Sequence, residues 1–156
     1  MSSNIPTLIL IYGPPGCGKS TLARELVQSL TNAFHIETDQ YFSIDGEYNW
    51  DATKLGIAHA WCQDEAFKAF DRYTTVIVSN TFSRQSEFAP YLARAKERGI
   101  EVKIITPSTS WRQDPIECYK RCTHNVPLKT IQAMLSRDQQ NEQFVKHYRY
   151  DYTPNK

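Results

Sequence analysis

Residues 13–21 read GPPGCGKST and fit the spacing G-x-x-x-x-G-K-[ST], with Gly13, Gly18, Lys19 and Ser20 at the fixed places. With glycine at about 7% of ordinary composition, a chain of this length matches by chance well under roughly one time in a hundred. The flanks strengthen the reading. Thr7–Tyr12 is a β-rich apolar run that ends at Gly13, and Ser20 to about Leu30 places Leu22, Leu26 and Leu30 on one helical face. A strand, a glycine-rich turn and a helix in that order form a cradle for an anion. Glycines let backbone N–H groups turn inward around phosphate oxygens, where side chains would block the approach. The helix opening near Gly18 aims its unpaired N–H groups and positive dipole end at the same anion. In such a loop Lys19 reaches the β- and γ-phosphates and the Ser20 hydroxyl ligates Mg²⁺. Gly16, Cys17 and Thr21 complete the expected nucleotide contacts, with Cys17 at a variable position where its thiol reads as a spectator.

Outward from this motif the chain alternates apolar runs with helical patterns. Phe34–Thr38 reads as a second strand, Asp45–Asp51 as a loop, and Thr53 to about Tyr73 as a long helix. Thr75–Ser79 is a strongly β-branched third strand. A helix from about Ser86 stops at Gly99, and Glu101–Thr106 is a fourth strand closed by Pro107. Pro115 suits the first turn of a helix beginning at Asp114, and Pro127 suits the opening of another. The tail after about Lys146, YRYDYTPNK, has no period and is expected to pack loosely. Alternating strands and helices predict a parallel sheet with right-handed crossovers. The expected fold class is therefore α/β: a P-loop NTPase fold with about four parallel strands flanked by helices, in one domain over residues 1–156. Ligands of such sheets bind beyond the carboxyl ends of the strands.

Composition narrows the classes. In 156 residues, 40% hydrophobic and 22% charged content excludes wholesale disorder. The longest aliphatic run, Leu8–Ile11, is far short of the roughly 20 residues that span a bilayer, so no membrane partner is expected. The N-terminal MSSNIPTLILIYG lacks a basic start and a small-residue cleavage site, which predicts a cytoplasmic protein. A net charge of +1 gives no general affinity for nucleic acid. Residues 1–93, however, carry 6 Lys/Arg against 10 Asp/Glu, while residues 94–156 carry 12 against 7, compatible with an anionic ligand meeting the later half. Cys118, Cys122 and His124 lack the spacing of a metal site, and the helical cysteines read as small apolar fillers. Nothing in the sequence sets an oligomeric state.

Further landmarks follow the phosphate loop in order: TDQYF at 38–42, DGEYNWD at 45–51, HAWCQ at 59–63, SNTF at 79–82, SWRQDP at 110–115, KRCTHNVP at 120–127 and MLSRD at 134–138. Together they resemble the polynucleotide-kinase-like P-loop kinases, including phage polynucleotide kinase. The closer likeness is to the kinase-like domain of some ubiquitin-ligase-binding animal proteins. The resemblance implies an ATP-dependent phosphotransferase with an alcohol acceptor, foremost the 5′-hydroxyl of DNA or RNA ends, using ATP and Mg²⁺ beneath a helical lid. By it Asp39 is the general base, a role worth about 10²–10⁴ in rate, and with Ser20 it serves the metal. The residue-level alternative for Asp39 is a helix N-cap. The resemblance also makes Arg121 the lid arginine that stabilises charge on the transferred phosphoryl group, and places Arg137 near the nucleotide, with Lys120 and His124 in reserve.

Two departures from the family pattern bear on the acceptor and the metal. Many relatives have Asp-Asn-Thr where this chain has Ser79-Asn80-Thr81, and the phage enzyme has an aspartate at the place of Asn80, so a carboxylate that could organise Mg²⁺ is missing there. Asn80 can still orient substrate or loop. The position of a phosphate-binding arginine is Phe42, which can stack on a base but cannot pair with a phosphate. Phe42, Tyr48 and Trp50, with Tyr41 beside them, read as an acceptor-stacking wall, Arg84 as a further acceptor contact, and Trp61 as core. Two other functions stay open: a kinase for a nucleoside, modified base or other small alcohol, and a nucleotide-binding regulatory domain with little catalysis.

Overall fold

The computed structural model describes residues 5–152. The start of the N-terminal stretch read above and the last four residues of the tail lie outside the described residues. Four parallel strands, β1 (Thr7–Ile11), β2 (Ala33–Ile36), β3 (Thr75–Ser79) and β4 (Glu101–Ile105), form one sheet in the order β2-β3-β1-β4. Thr7 stands opposite both Thr75 and Glu101, and Ala33 opposite Thr75, so the strands end level along one carboxyl edge. The two central strands, TLILI and TVIVS, are buried over their last four residues, which is why they are continuous apolar runs rather than alternating ones.

Three helices make the crossovers: α1 (Lys19–Ser29), α2 (Leu55–Ala69) and α3 (Gln85–Glu97). The pleat sends Leu8, Leu10, Val76 and Val78 to one face, where they pack with Phe67, Phe88 and Tyr91 of α2 and α3. It sends Ile9, Ile11 and Ile77 to the other, against Leu22, Ala23 and Leu26 of α1. Each fully buried Leu, Ile or Phe contributes roughly 1.5–3 kcal/mol. Beyond β4, α4 (Pro115–Arg121), α5 (Leu128–Gln140) and α6 (Glu142–Lys146) complete the chain. Asp114 caps α4 by accepting from the N–H groups of Ile116 and Glu117 at 3.1 and 3.2 Å, with Pro115 in the first turn as expected. Cys118 of α4 and Ile131 of α5 are fully buried with Cys17, which fastens this helical pair onto the glycine-rich turn.

The structure corrects three readings. The helix expected from Thr53 opens as a 3₁₀ turn, Ala52–Lys54, because the Asp51 carboxylate draws in both the N–H and the hydroxyl of Thr53; α2 proper starts at Leu55. The second strand stops at Ile36, and Thr38–Ser43 is a 3₁₀ turn. The tail expected to be loose is paired with β4 as far as Tyr150: the N–H of Ile104 donates to Tyr148, that of Tyr150 donates back to Ile104 at 3.0 Å, and Tyr150 and Tyr152 pack beside the α1 face of the core. The cause is β4, an edge strand whose outer backbone groups need partners. Among the described residues no helix is long and apolar enough to cross a membrane.

Candidate active site

After β1 the chain turns sharply, and the N–H of Gly13 donates to the carbonyl of Thr81 at 3.2 Å. Gly18, at φ +106°, precedes α1 without a side-chain cap, leaving the first-turn N–H groups for a ligand. The loop carbonyls are held from the β4 side. Thr109 donates its hydroxyl to the carbonyl of Cys17 at 2.8 Å, and the indole of Trp111 donates to that of Gly16 at 2.9 Å. The Lys19 ammonium donates to the carbonyls of Gly13 and Pro14, both at 2.9 Å. Gly16, at φ +82°, is pressed so closely by α4 that a Cβ would meet the Cys118 carbonyl oxygen. Cys17 is fully buried and burial raises its thiol pKa, so only its backbone can serve a nucleotide. Thr21 is exposed on α1, at the edge of the large cleft described below. Arg121 stacks on Trp111, its guanidinium carbon 3.6 Å from the ring centre, and its Nε pairs with Glu117 at 3.2 Å. Arg121 is thus one ring away from the loop.

On the other side of the loop, the turn after β2 gathers carboxylates. Asp39 accepts from the Tyr48 hydroxyl through Oδ1 at 2.9 Å and pairs with His124 Nε2 through Oδ2 at 2.9 Å. Tyr48 also stacks on His124, with ring centres 4.3 Å apart and planes 19° apart. Burial, and then the bond to Asp39, push the Tyr48 hydroxyl pKa up. Asp39 is not a helix cap: it lies inside the 3₁₀ turn Thr38–Ser43, whose N-cap position is Glu37. The N–H of Thr38 donates to Asn80 Oδ1 at 2.9 Å. Asn80 therefore orients the turn that carries Asp39, the loop-orienting one of the two roles expected of it.

Glu37, which the sequence reading missed, accepts through Oε2 from the hydroxyls of Ser79 at 2.9 Å and Ser20 at 3.4 Å. His35 Nε2 lies 2.6 Å from the Ser79 hydroxyl and 3.8 Å from Glu37, and burial lowers its pKa against the opposing pull of that carboxylate. The signal was available in the Glu-x-Asp pattern of ETDQYF directly after a strand. Ser20, Glu37 and Asp39 offer only oxygen donors, which fits a hard divalent cation such as Mg²⁺.

The remaining predicted residues divide. Phe42 is only 5% exposed and has Tyr41 and Tyr48 edge-on to it, so its stacking role is corrected: an apolar ring in a short turn is buried first. Tyr48 (40% exposed) and Trp50 (56%) remain open to an acceptor. Trp61 is half-buried against the core, tilted onto Tyr41. Arg84 is exposed at the start of α3. Arg137 donates twice to the Ser83 hydroxyl at 3.1 Å, which fastens α5 to the loop after β3. Its neighbour Asp138 was also missed. Its Oδ1 is buried with no partner among the described residues, and burial raises its carboxyl pKa to about 7 despite Lys19 and Arg137.

A cleft of about 860 Å³ opens on the β4 side, lined among others by Tyr12, Gly18, Thr106, Trp111, Asp138 and Tyr150. Asp39, Tyr48 and Trp50 are not among its lining residues. The phosphate loop therefore lies between a roomy cleft and a carboxylate flanked by exposed aromatic rings.

This sheet order, loop and carboxylate turn define a P-loop kinase-like domain. The chain belongs to the AAA domain family, whose model matches residues 8–140, and within it to the polynucleotide-kinase-like P-loop proteins. Over 129 residues it is 37% identical to human NEDD4-binding protein 2, a stretch that makes up 82% of this chain and only 7% of that protein. Among solved structures, a chain from the structure of the Pnkp1/Rnl/Hen1 RNA repair complex matches with a TM-score of 0.68 at 17% identity, covering 99% of this chain and 49% of that one. Shikimate kinase from Acinetobacter baumannii, in complex with shikimate, matches with a TM-score of 0.54 at 18% identity, covering 97% and 86%. At those identities the two structures establish the fold.

Proposed function

We propose that this domain is an ATP-dependent kinase that transfers the γ-phosphate to a hydroxyl acceptor, foremost the 5′-hydroxyl of a DNA or RNA end. The observation that carries the reading is the Asp39 carboxylate on the turn after β2, two residues beyond the Glu37 that accepts from Ser20 of a phosphate loop whose lysine is parked on the carbonyls of Gly13 and Pro14. The cleft on the β4 side suits the base and ribose of ATP, with the phosphates running along residues 13–21 toward Asp39. Lys19 exchanges the two carbonyls for phosphate oxygens, and Arg121 needs to leave only Trp111 and Glu117 to reach developing charge. Mg²⁺, held by Ser20 with Asp39, supplies neutralisation of the phosphate charge when bound. Asp39 accepts the acceptor's proton once Tyr48 or His124 yields its place on the carboxylate.

Tyr48 and Trp50 supply the stacking surface for a terminal base, and Arg84 a contact for the phosphate that follows. A second reading, a nucleoside or other small alcohol as acceptor, draws support from the same wall, which is aromatic rather than basic beside Asp39. The cytoplasm suits the reading, since the cysteines at 17, 62, 118 and 122 are free thiols.

Incubation with γ-labelled ATP, Mg²⁺ and either hydroxyl-ended oligonucleotides or free nucleosides tests these readings. Label on oligonucleotides supports the first and label on nucleosides alone the second. Nucleotide binding without transfer to any acceptor would return a regulatory domain. Acceptor binding should show a shallow salt dependence, with a slope of about one or two phosphates. A slope near five would replace the stacking wall with an extended groove.

A further inference from the structure

We infer that Glu37 is the carboxylate that organises the divalent metal at this site, in place of the aspartate that related chains carry where this one has Ser79. The inference rests on the kinase reading above and concerns the means of holding metal rather than the acceptor.

β2 and β3 are neighbours in register, with Ile36 opposite Val78, so the next residues along, Glu37 just past β2 and Ser79 at the end of β3, stand side by side. Either position can deliver a carboxylate to the mouth of the phosphate loop. At the end of β3 this chain has a hydroxyl, 2% exposed, that donates to Glu37 at 2.9 Å. The Glu37 side chain is one methylene longer than aspartate. From one strand further out it reaches Ser20, the expected metal-binding hydroxyl of the loop, at 3.4 Å. His35 holds Ser79 from behind at 2.6 Å, so the group that steers Glu37 is itself fixed. The recorded hydrogen bonds of Glu37 all go to Oε2, which leaves Oε1 for a metal or its water. Among the described residues no lysine or arginine lies within 4 Å to neutralise the carboxylate. A purely structural end-of-strand glutamate would account for the Ser79 bond but not for an unneutralised carboxylate facing the metal-binding serine. The relocation also removes the motive for reading the missing aspartate as lost catalysis.

The test measures binding of the ATP analogue AMP-PNP by calorimetry with Mn²⁺ and with EDTA, together with the electron paramagnetic resonance signal of bound Mn²⁺. Loss of a group that orients a metal typically costs about ten- to a hundredfold in metal affinity. Glu37→Gln keeps an acceptor for Ser79 and should lose that much affinity for the Mn²⁺ complex, with metal-free binding changed by less than about twofold. Adding Ser79→Asp to Glu37→Gln should recover part of the loss and restore the Mn²⁺ signal. Unchanged Mn²⁺ binding in Glu37→Gln, or equal losses with and without metal, would overturn the proposal. If Glu37→Gln does not fold, Ser79→Ala serves instead: it should weaken Mn²⁺ binding selectively, and unchanged binding would be equally fatal. A wild-type protein that binds AMP-PNP under neither condition would overturn the kinase reading itself, an outcome distinct from a wild type that binds and a variant that does not differ.

Discussion

The contact between α4 and the phosphate loop can be weighed with a single methyl group. At Gly16, φ is +82° and an added Cβ would sit 2.1 Å from the Cys118 carbonyl oxygen and 3.1 Å from the Cys122 nitrogen. Ordinary carbon–oxygen contacts begin near roughly 3.3 Å, so the last turn of α4 would have to retreat by about 1 Å. Left-handed backbone strain costs an alanine about 1–2 kcal/mol, and overpacking a close-packed contact adds about 1–3 kcal/mol. Gly16→Ala should therefore lose about 2–5 kcal/mol, a large part of the roughly 5–15 kcal/mol that a domain has in total. Gly46→Ala is the matched control: φ is +92° there, and nothing lies within 4 Å of its added Cβ. It should lose only the strain, about 1–2 kcal/mol. Urea unfolding of both variants, compared at equal slope, isolates the difference. Because the retreat of the last turn of α4 carries Arg121 away from the loop, nucleotide affinity should fall in Gly16→Ala and stay unchanged in Gly46→Ala. Equal stability losses in the two variants would refute the packing of α4 on the loop.

Three further outcomes follow from the site. Lys19→Ala should abolish phosphoryl transfer while costing about 2 kcal/mol or less in stability, since the ammonium makes only two hydrogen bonds to loop carbonyls; wild-type-like turnover in the folded variant would rule out the P-loop mechanism. Asp39→Asn should keep ATP binding and lose at least about 10²-fold in turnover, whereas matched losses in affinity and turnover would assign Asp39 chiefly to metal or structure instead of the base. Asp138 has a folded-state pKa raised to about 7 from an ordinary 3.8, so the stability tied to its protonated form is full below the lower value and lost as pH rises through the upper. Asp138→Asn should accordingly raise the thermal midpoint more at pH 8 than at pH 5, and an equal gain at both would show that the carboxyl is not desolvated.

The parts of this protein legible in its sequence are those specified by neighbouring residues. The turn at 13–21, the apolar runs of the four strands, the proline at the start of α4 and the glycine that ends α3 each act within a few positions, through backbone conformation and local periodicity. Asp39, Tyr48 and Trp50 could be named because short landmarks around them run in a familiar order. What lay beyond such reading depends on which strand sits beside which. Glu37 meets Ser20 and Ser79 across separations of 17 and 42 residues, and only the order β2-β3-β1-β4 makes those three neighbours. Asp39 and His124 are separated along the chain by both β3 and β4, yet the fold brings their side chains within 2.9 Å. Phe42 has the composition of a base-stacking residue, but burial claimed the ring, and the Arg137 guanidinium meets the Ser83 hydroxyl from 54 residues away. A side chain's composition limits what it can bind, whereas the chain segments packed around it decide what remains within reach, and those segments arrive from distant positions only when the core closes.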